Sequence, residues 1–150
     1  MVKQLKIEGI AIREGVSRNN VRYDSKELHK FANTMEGRPI LKDHESKTDN
    51  VIGIVEKGTS LENGKMVRYS GWVKEDGSGI LDKIKDGRIK EVSIGAQAGK
   101  LIKESEDSDI VIAKDLTCLE LSTTPTPGVT GTSLMPTENY TEEKLTEMIQ

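Results

Sequence analysis

Apolar and polar residues alternate through much of this chain, and the period of two predicts strands rather than helices. Residues 3–13 place Ile and Leu between polar partners and predict a first strand. Residues 15–20 predict a loop. Asp24 then opens a helix: Asp24 and Glu27 have the spacing of a capping box, and Leu28, Phe31, Ala32 and Met35 follow on one helical face until Gly37 stops it. Strands are predicted at 38–42, 51–57 and 66–75, with Asn63-Gly64 marking a hairpin between the last two. Residues 78–86 predict a short helix presenting Ile80, Leu81 and Ile84, with Gly87 behind it. Residues 88–104 predict one long bent strand or two, broken near Gly95 and Gly99, and 104–109 an acidic turn. Two strands are expected at 110–113 and 116–123. Irregular chain follows over 124–136, and Thr141 caps a last helix carrying Leu145, Met148 and Ile149.

Seven or eight short strands with two or three short helices favour a mainly β, α+β fold over a parallel α/β sheet. The expected architecture is a compact, mostly antiparallel six- to eight-stranded β-barrel wrapped by two or three helices. Residues 1–136 make the barrel domain, and 137–150 a C-terminal helical tail that a trimmed or truncated chain would leave. At 150 residues one domain is expected, large enough to bury a core without disulfides or metal. Apolar residues are only 34% and aromatics 3%, so that core must be built mostly from Ile, Val and Leu.

A formal net charge of −3 argues against nucleic acid or an anionic membrane as partner. No run approaches the roughly 18 apolar residues of a membrane span. The first residues lack the apolar region of a secretion signal, so an intracellular location is expected. The single cysteine, Cys118, excludes an internal disulfide and a cysteine-based zinc cluster.

Candidate chemistry lies in three short stretches: Asp43-His44-Glu45, Glu91-Val92-Ser93-Ile94-Gly95 and Leu119-Glu120-Leu121-Ser122. On a strand, Val92 and Ile94 turn to the core, so Ser93 points away from it beside Gly95, which would clear space for an incoming chain. Leu119 and Leu121 would likewise face the core, turning Cys118, Glu120 and Ser122 the other way. A histidine has the basicity to take a serine proton near neutral pH, and a carboxylate can hold its tautomer. The chain has only two histidines. His29 reads as a surface residue of the first helix, which leaves His44. Ordinary surface roles for Ser93, His44 and Glu120 remain open on local pattern alone. A Cys118–His44 thiol pair is the rival chemistry, against a buried inert thiol. A metal site at Asp43, His44 and Glu45 is disfavoured, because neighbours on an extended segment diverge.

The order and spacing of these stretches resemble the prohead proteases of tailed bacteriophages, serine proteases of capsid maturation related in fold to the herpesvirus assembly proteases. The resemblance runs from about Gly9 to Gly128. It rests on Gly15-Val16-Ser17-Arg18-Asn19-Asn20 with Tyr23, on Gly37-Arg38-Pro39 leading to Asp43-His44 and Ile52-Gly53, on Val92-Ser93-Ile94-Gly95, and on Leu119-Glu120-Leu121-Ser122 before Pro125 and Pro127-Gly128.

The resemblance implies a herpesvirus-protease-like barrel with its site on the outer surface. It implies a serine endopeptidase with Ser93 as nucleophile and His44 as base, needing no cofactor or metal. Glu120 is taken as third member, with Asp115 as the alternative. It implies cleavage of the scaffolding protein, the scaffold segment of the major capsid protein and the enzyme itself, inside an assembling procapsid in the host cytoplasm. A homodimer is left open. The herpesvirus enzymes support the oxyanion with an arginine after the third member; this chain has none beyond Arg88, so backbone N–H groups near Thr123 and Thr124 are the expected donors. The alternative function is a non-catalytic capsid-assembly or scaffold-associated protein that keeps the barrel.

Overall fold

The computed structural model describes residues 3–137. Nine strands belong to one sheet: β1 (Gln4–Arg13), β2 (Gly15–Val16), β3 (Val21–Tyr23), β4 (Pro39–Lys42), β5 (Val51–Leu61), β6 (Met66–Lys74), β7 (Val92–Lys103), β8 (Val111–Thr123) and β9 (Met135–Pro136). Two α-helices lie among them in the described residues, α1 (Ser25–Phe31) and α2 (Ile80–Lys85). The order is β2-β3-β8-β4-β5-β6-β1-β9, with β7 added to β8. Most ladders are antiparallel, but β8 runs parallel to both β3 and β4. The expected final helix falls outside the described residues.

Strands expected as 110–113 and 116–123 are one strand, β8, and the expected loop at 15–20 contains the short pairing of β2 with β3. The Asn63-Gly64 turn joins β5 to β6 with Glu62, Asn63 and Gly64 all at positive φ.

The sheet does not close into a barrel by hydrogen-bonded ladders. No ladder joins β7 to β1 among the described residues; residues 132–134 span the gap instead. Ser133 N–H donates to Ile10 O at 2.9 Å, and Leu134 N–H to Lys90 O at 2.9 Å. Val92 N–H donates to Thr132 Oγ1 at 3.2 Å, and Tyr69 O–H to Ser133 O at 2.8 Å. This segment therefore satisfies backbone groups on both sides of the opening.

α1 begins where expected, after Asp24, but the capping box is not made: the Asp24 side chain caps nothing. Glu27 turns toward β8, where its Oε2 accepts the Asp115 N–H at 3.1 Å, and Asp24 lies 3.7 Å from the Lys114 ammonium. Tertiary partners win both carboxylates from the local motif. The apolar face behaves as the spacing predicts: Leu28, Phe31, Ala32 and Met35 are all buried in one core with Ile40, Val55, Val67, Tyr69, Val73, Val92 and Leu121. α2 inserts Ile80, Leu81 and Ile84 into the same core. Its first turn is held by Glu75, whose carboxylate accepts N–H bonds from Gly77, Gly79 and Leu81, and these bonds pull its pKa down.

Candidate active site

β4 delivers the histidine. Its parallel ladder with β8 pairs Leu41 with Ser122 and Lys42 with Thr123, and the strand then ends in a tight turn. Asp43 and His44 both have positive φ, 52° and 59°, and Glu45 N–H returns to Lys42 O at 3.2 Å, as in a type I′ turn. Short polar residues tolerate this backbone better than branched ones. Two clamps hold the turn. Asp43 N–H donates to Thr123 O, and the buried Asn50 side chain donates to Lys42 O at 2.7 Å and Glu45 O at 2.8 Å.

The turn folds His44 back over β8, where its Nδ1 meets Glu120 Oε1 in a short contact, 76 positions along the chain. Glu120 is 8% exposed. Its second oxygen accepts the Ser122 hydroxyl at 2.6 Å, and Ser122 Oγ accepts the backbone N–H of His44 at 3.0 Å. Glu120, rather than Asp115, is thus the carboxylate paired with His44. Asp115 lies further back on β8 at a positive φ of 55°, over Gly99.

Ser93 lies on β7 directly opposite Ser122, and Gly95 opposite Glu120. Val92 beneath it is fully buried, and Ser93 is half-buried with its side chain toward a groove of about 340 Å³. His44 lines the same groove, with Arg18, Tyr23, Thr126 and Gly128. Ser93 Oγ makes no hydrogen bond among the described residues, so the serine and histidine share the groove without a direct bond between them. Arg18 N–H donates to Gly128 O at 2.9 Å, tying the loop after β2 to the segment that flanks Ser93.

Alternation misplaces two residues on β8. A bulge between Gly95 and Ala96 sets Glu120 opposite Gly95 and Cys118 opposite Ala96, leaving Leu119 as the extra residue. Leu119 is consequently 48% exposed, and Cys118 lies fully inside the core instead of sharing the face of Glu120. Burial pushes the Cys118 thiol up to about 12, which removes it as a nucleophile at neutral pH. Gly95 has a different use from the expected one. A Cβ there would lie 2.3 Å from Glu120 Oε1, so the glycine makes room for the carboxylate and not for an incoming chain.

The expected oxyanion donors are engaged elsewhere. Thr124 N–H donates to Glu91 O, and Thr123 is enclosed by ladders to Val92 and Lys42. Arg18 is exposed on the groove, and its guanidinium has no partner among the described residues. Arg18 and Ser122 lie within the stretches that the sequence marks, though without a role at this site assigned to either, and Asn50 lies in none of them. The second histidine, His29, is exposed on α1 and bonded to Ser60 Oγ at 2.8 Å. Asp43 and Glu45 border a separate hollow with Lys42 and Lys83. Among the described residues no three His, Cys, Asp or Glu side chains are grouped to hold a metal ion.

No family model matches the chain, and no curated protein matches it in sequence. Among solved structures it is similar to the KSHV protease in complex with a hexapeptide phosphonate inhibitor, at 11% identity and a TM-score of 0.59. The match covers 97% of this chain and 69% of that one. At that identity the likeness establishes fold alone: the chain has a herpesvirus-protease-like fold.

Proposed function

We propose that this protein is a serine endopeptidase in which Ser93 is the nucleophile, His44 the general base and Glu120 the group that orients His44. The observation that carries this reading is the His44–Glu120 pair, set on the edge of the groove that Ser93 lines. With Nδ1–H donated to Glu120, the histidine's free Nε2 is the acceptor tautomer that a serine hydroxyl requires. Ser93 would attack the scissile carbonyl and pass its proton to His44. The imidazolium, stabilised by Glu120, would return a proton to the leaving amine, and water would release the acyl group. Arg18 is the one lysine or arginine that lines the groove among the described residues, and it is our candidate for stabilising the oxyanion.

The likeness in fold to a viral protease solved with a peptide phosphonate supports a peptide substrate. Together with the prohead-protease pattern of the sequence, it favours capsid maturation in a tailed phage. Substrates would be the scaffolding protein, the scaffold segment of the capsid protein and the enzyme itself, cleaved within the procapsid. Confinement in a shell raises effective concentration, so a modest intrinsic rate would suffice. The missing bond between Ser93 and His44 favours a second reading, a scaffold-associated assembly protein of the same fold. Co-expression with the scaffolding protein separates them. The protease reading expects scaffold and self-cleavage that Ser93→Ala abolishes; cleavage at wild-type rate in that variant refutes it.

A further inference from the structure

We propose that Ser122 is a positioning residue that holds both ends of His44 through one hydroxyl. The inference rests on the protease reading for its catalytic consequence, but not for its geometry. Ser122 is fully buried, so its hydroxyl has no access to substrate or solvent. Its proton goes to Glu120 Oε2 at 2.6 Å, and its oxygen takes the His44 backbone N–H at 3.0 Å. Glu120 Oε1 meets His44 Nδ1. The contacts form a closed ring: backbone N–H of His44, Ser122 hydroxyl, both oxygens of Glu120, imidazole of His44.

Each part of the ring answers a specific weakness. Glu120 hangs on a two-carbon stem, and a carboxylate held by one oxygen can swing about it; the Ser122 donor fixes the second oxygen with a charge-assisted bond. His44 sits at positive φ in a turn, a backbone that a non-glycine residue keeps only when its surroundings demand it. The bond from its N–H to Ser122 is part of that demand.

Ser122 also stands in register with both partner strands. It pairs with Leu41 on β4, three residues before His44, and with Ser93 on β7. One row of the sheet therefore sets the height of the histidine turn against the nucleophile. A hydroxyl is the smallest group that both donates and accepts there. Alanine keeps the row but opens the ring, leaving Glu120 Oε2 and the His44 N–H without these partners.

The test uses the full chain with two readouts. The first is inactivation by a fluorophosphonate, resolved into KI and the maximal rate kinact. The second is the proton spectrum of the imidazole N–H groups in protein carrying ¹⁵N-histidine. With only two histidines, His29 serves as the internal control. In Ser122→Ala, kinact should fall about 10- to 100-fold, the scale of a small misplacement of a catalytic group. KI should stay within about 3-fold, because no ground-state contact is removed. The downfield His44 Nδ1–H signal should be lost or moved upfield while that of His29 stays.

Ser122→Cys keeps the volume with a weaker donor, and should show the same changes in smaller degree; it decides the matter if the alanine variant does not fold. Unchanged kinact together with an unchanged His44 signal in a folded variant overturns the proposal. If the wild type does not react at Ser93 but Ser122→Ala still loses the signal, Ser122 positions His44 and the protease reading is what fails.

Discussion

Gly95 and Glu120 occupy one position between them, because the carboxylate lies where a side chain on Gly95 would be. Gly95→Ala should fold, since β7 accepts alanine at φ values normal for a strand, yet it must push Glu120 off His44. An error of about 1 Å in a catalytic group costs about 10²-fold, and that loss of fluorophosphonate reactivity is expected. Glu120→Gln keeps the shape but replaces the carboxylate with a neutral amide that can present the wrong partner to Nδ1; about 10²- to 10⁴-fold loss of activity is expected. Cys118 supplies a contrast. Its thiol, buried and pushed up to about 12, should resist alkylation in the native protein and react only on unfolding. Rapid native labelling of Cys118 would contradict its place in the core.

At the scale of elements, the site is a junction of three strands, and the turn after β4 is its least regular part. Asn50 holds that turn through two carbonyls from a buried position. Asn50→Ala should cost about 1–3 kcal/mol in urea unfolding, through the loss of its two hydrogen bonds to the turn, and should lower activity further by releasing His44. The strand of Ser93, the strand that leads to His44 and the strand of Glu120 were each legible from residue type and order, as were the apolar faces of α1 and α2. What sequence could not show were features that depend on a partner strand. The bulge that ejects Leu119 and buries Cys118 is a property of the β7–β8 pairing, so a strict period of two assigns both to the wrong face. The capping box at Asp24 and Glu27 is correct as a local pattern but loses to β8. The positive φ of His44, and hence its approach to Glu120, belongs to a turn that no glycine announces.

At the scale of the whole molecule, two groups of contacts join distant parts. Residues 132–134 bridge β1 to the start of β7, where a closed barrel was expected. Thr132→Val removes the acceptor for Val92 N–H beside Ser93 and should loosen that end of β7, read as faster amide exchange at Val92 and Ser93. Lys42 and Asp76 join the histidine strand to the approach of α2 at 2.5 Å. Burial raises the Asp76 pKa, but the hydrogen bonds from Lys42 and Ser78 outweigh it and lower it to about 2. A depressed carboxylate contributes stability that is full above its unfolded pKa of about 4 and disappears as pH falls through its folded value. The Asp76→Asn variant should therefore be less stable than wild type at neutral pH, with the difference shrinking between about pH 4 and pH 2.

The central claim is that His44, oriented by Glu120, activates Ser93. The most direct measurement is reaction of the purified protein with a fluorophosphonate, followed by peptide mapping of the modified residue in wild type, His44→Ala and Glu120→Gln. The account predicts a single label on Ser93, lost in His44→Ala and strongly slowed in Glu120→Gln. A label on any other residue, or labelling of Ser93 at the same rate in all three proteins, would contradict it.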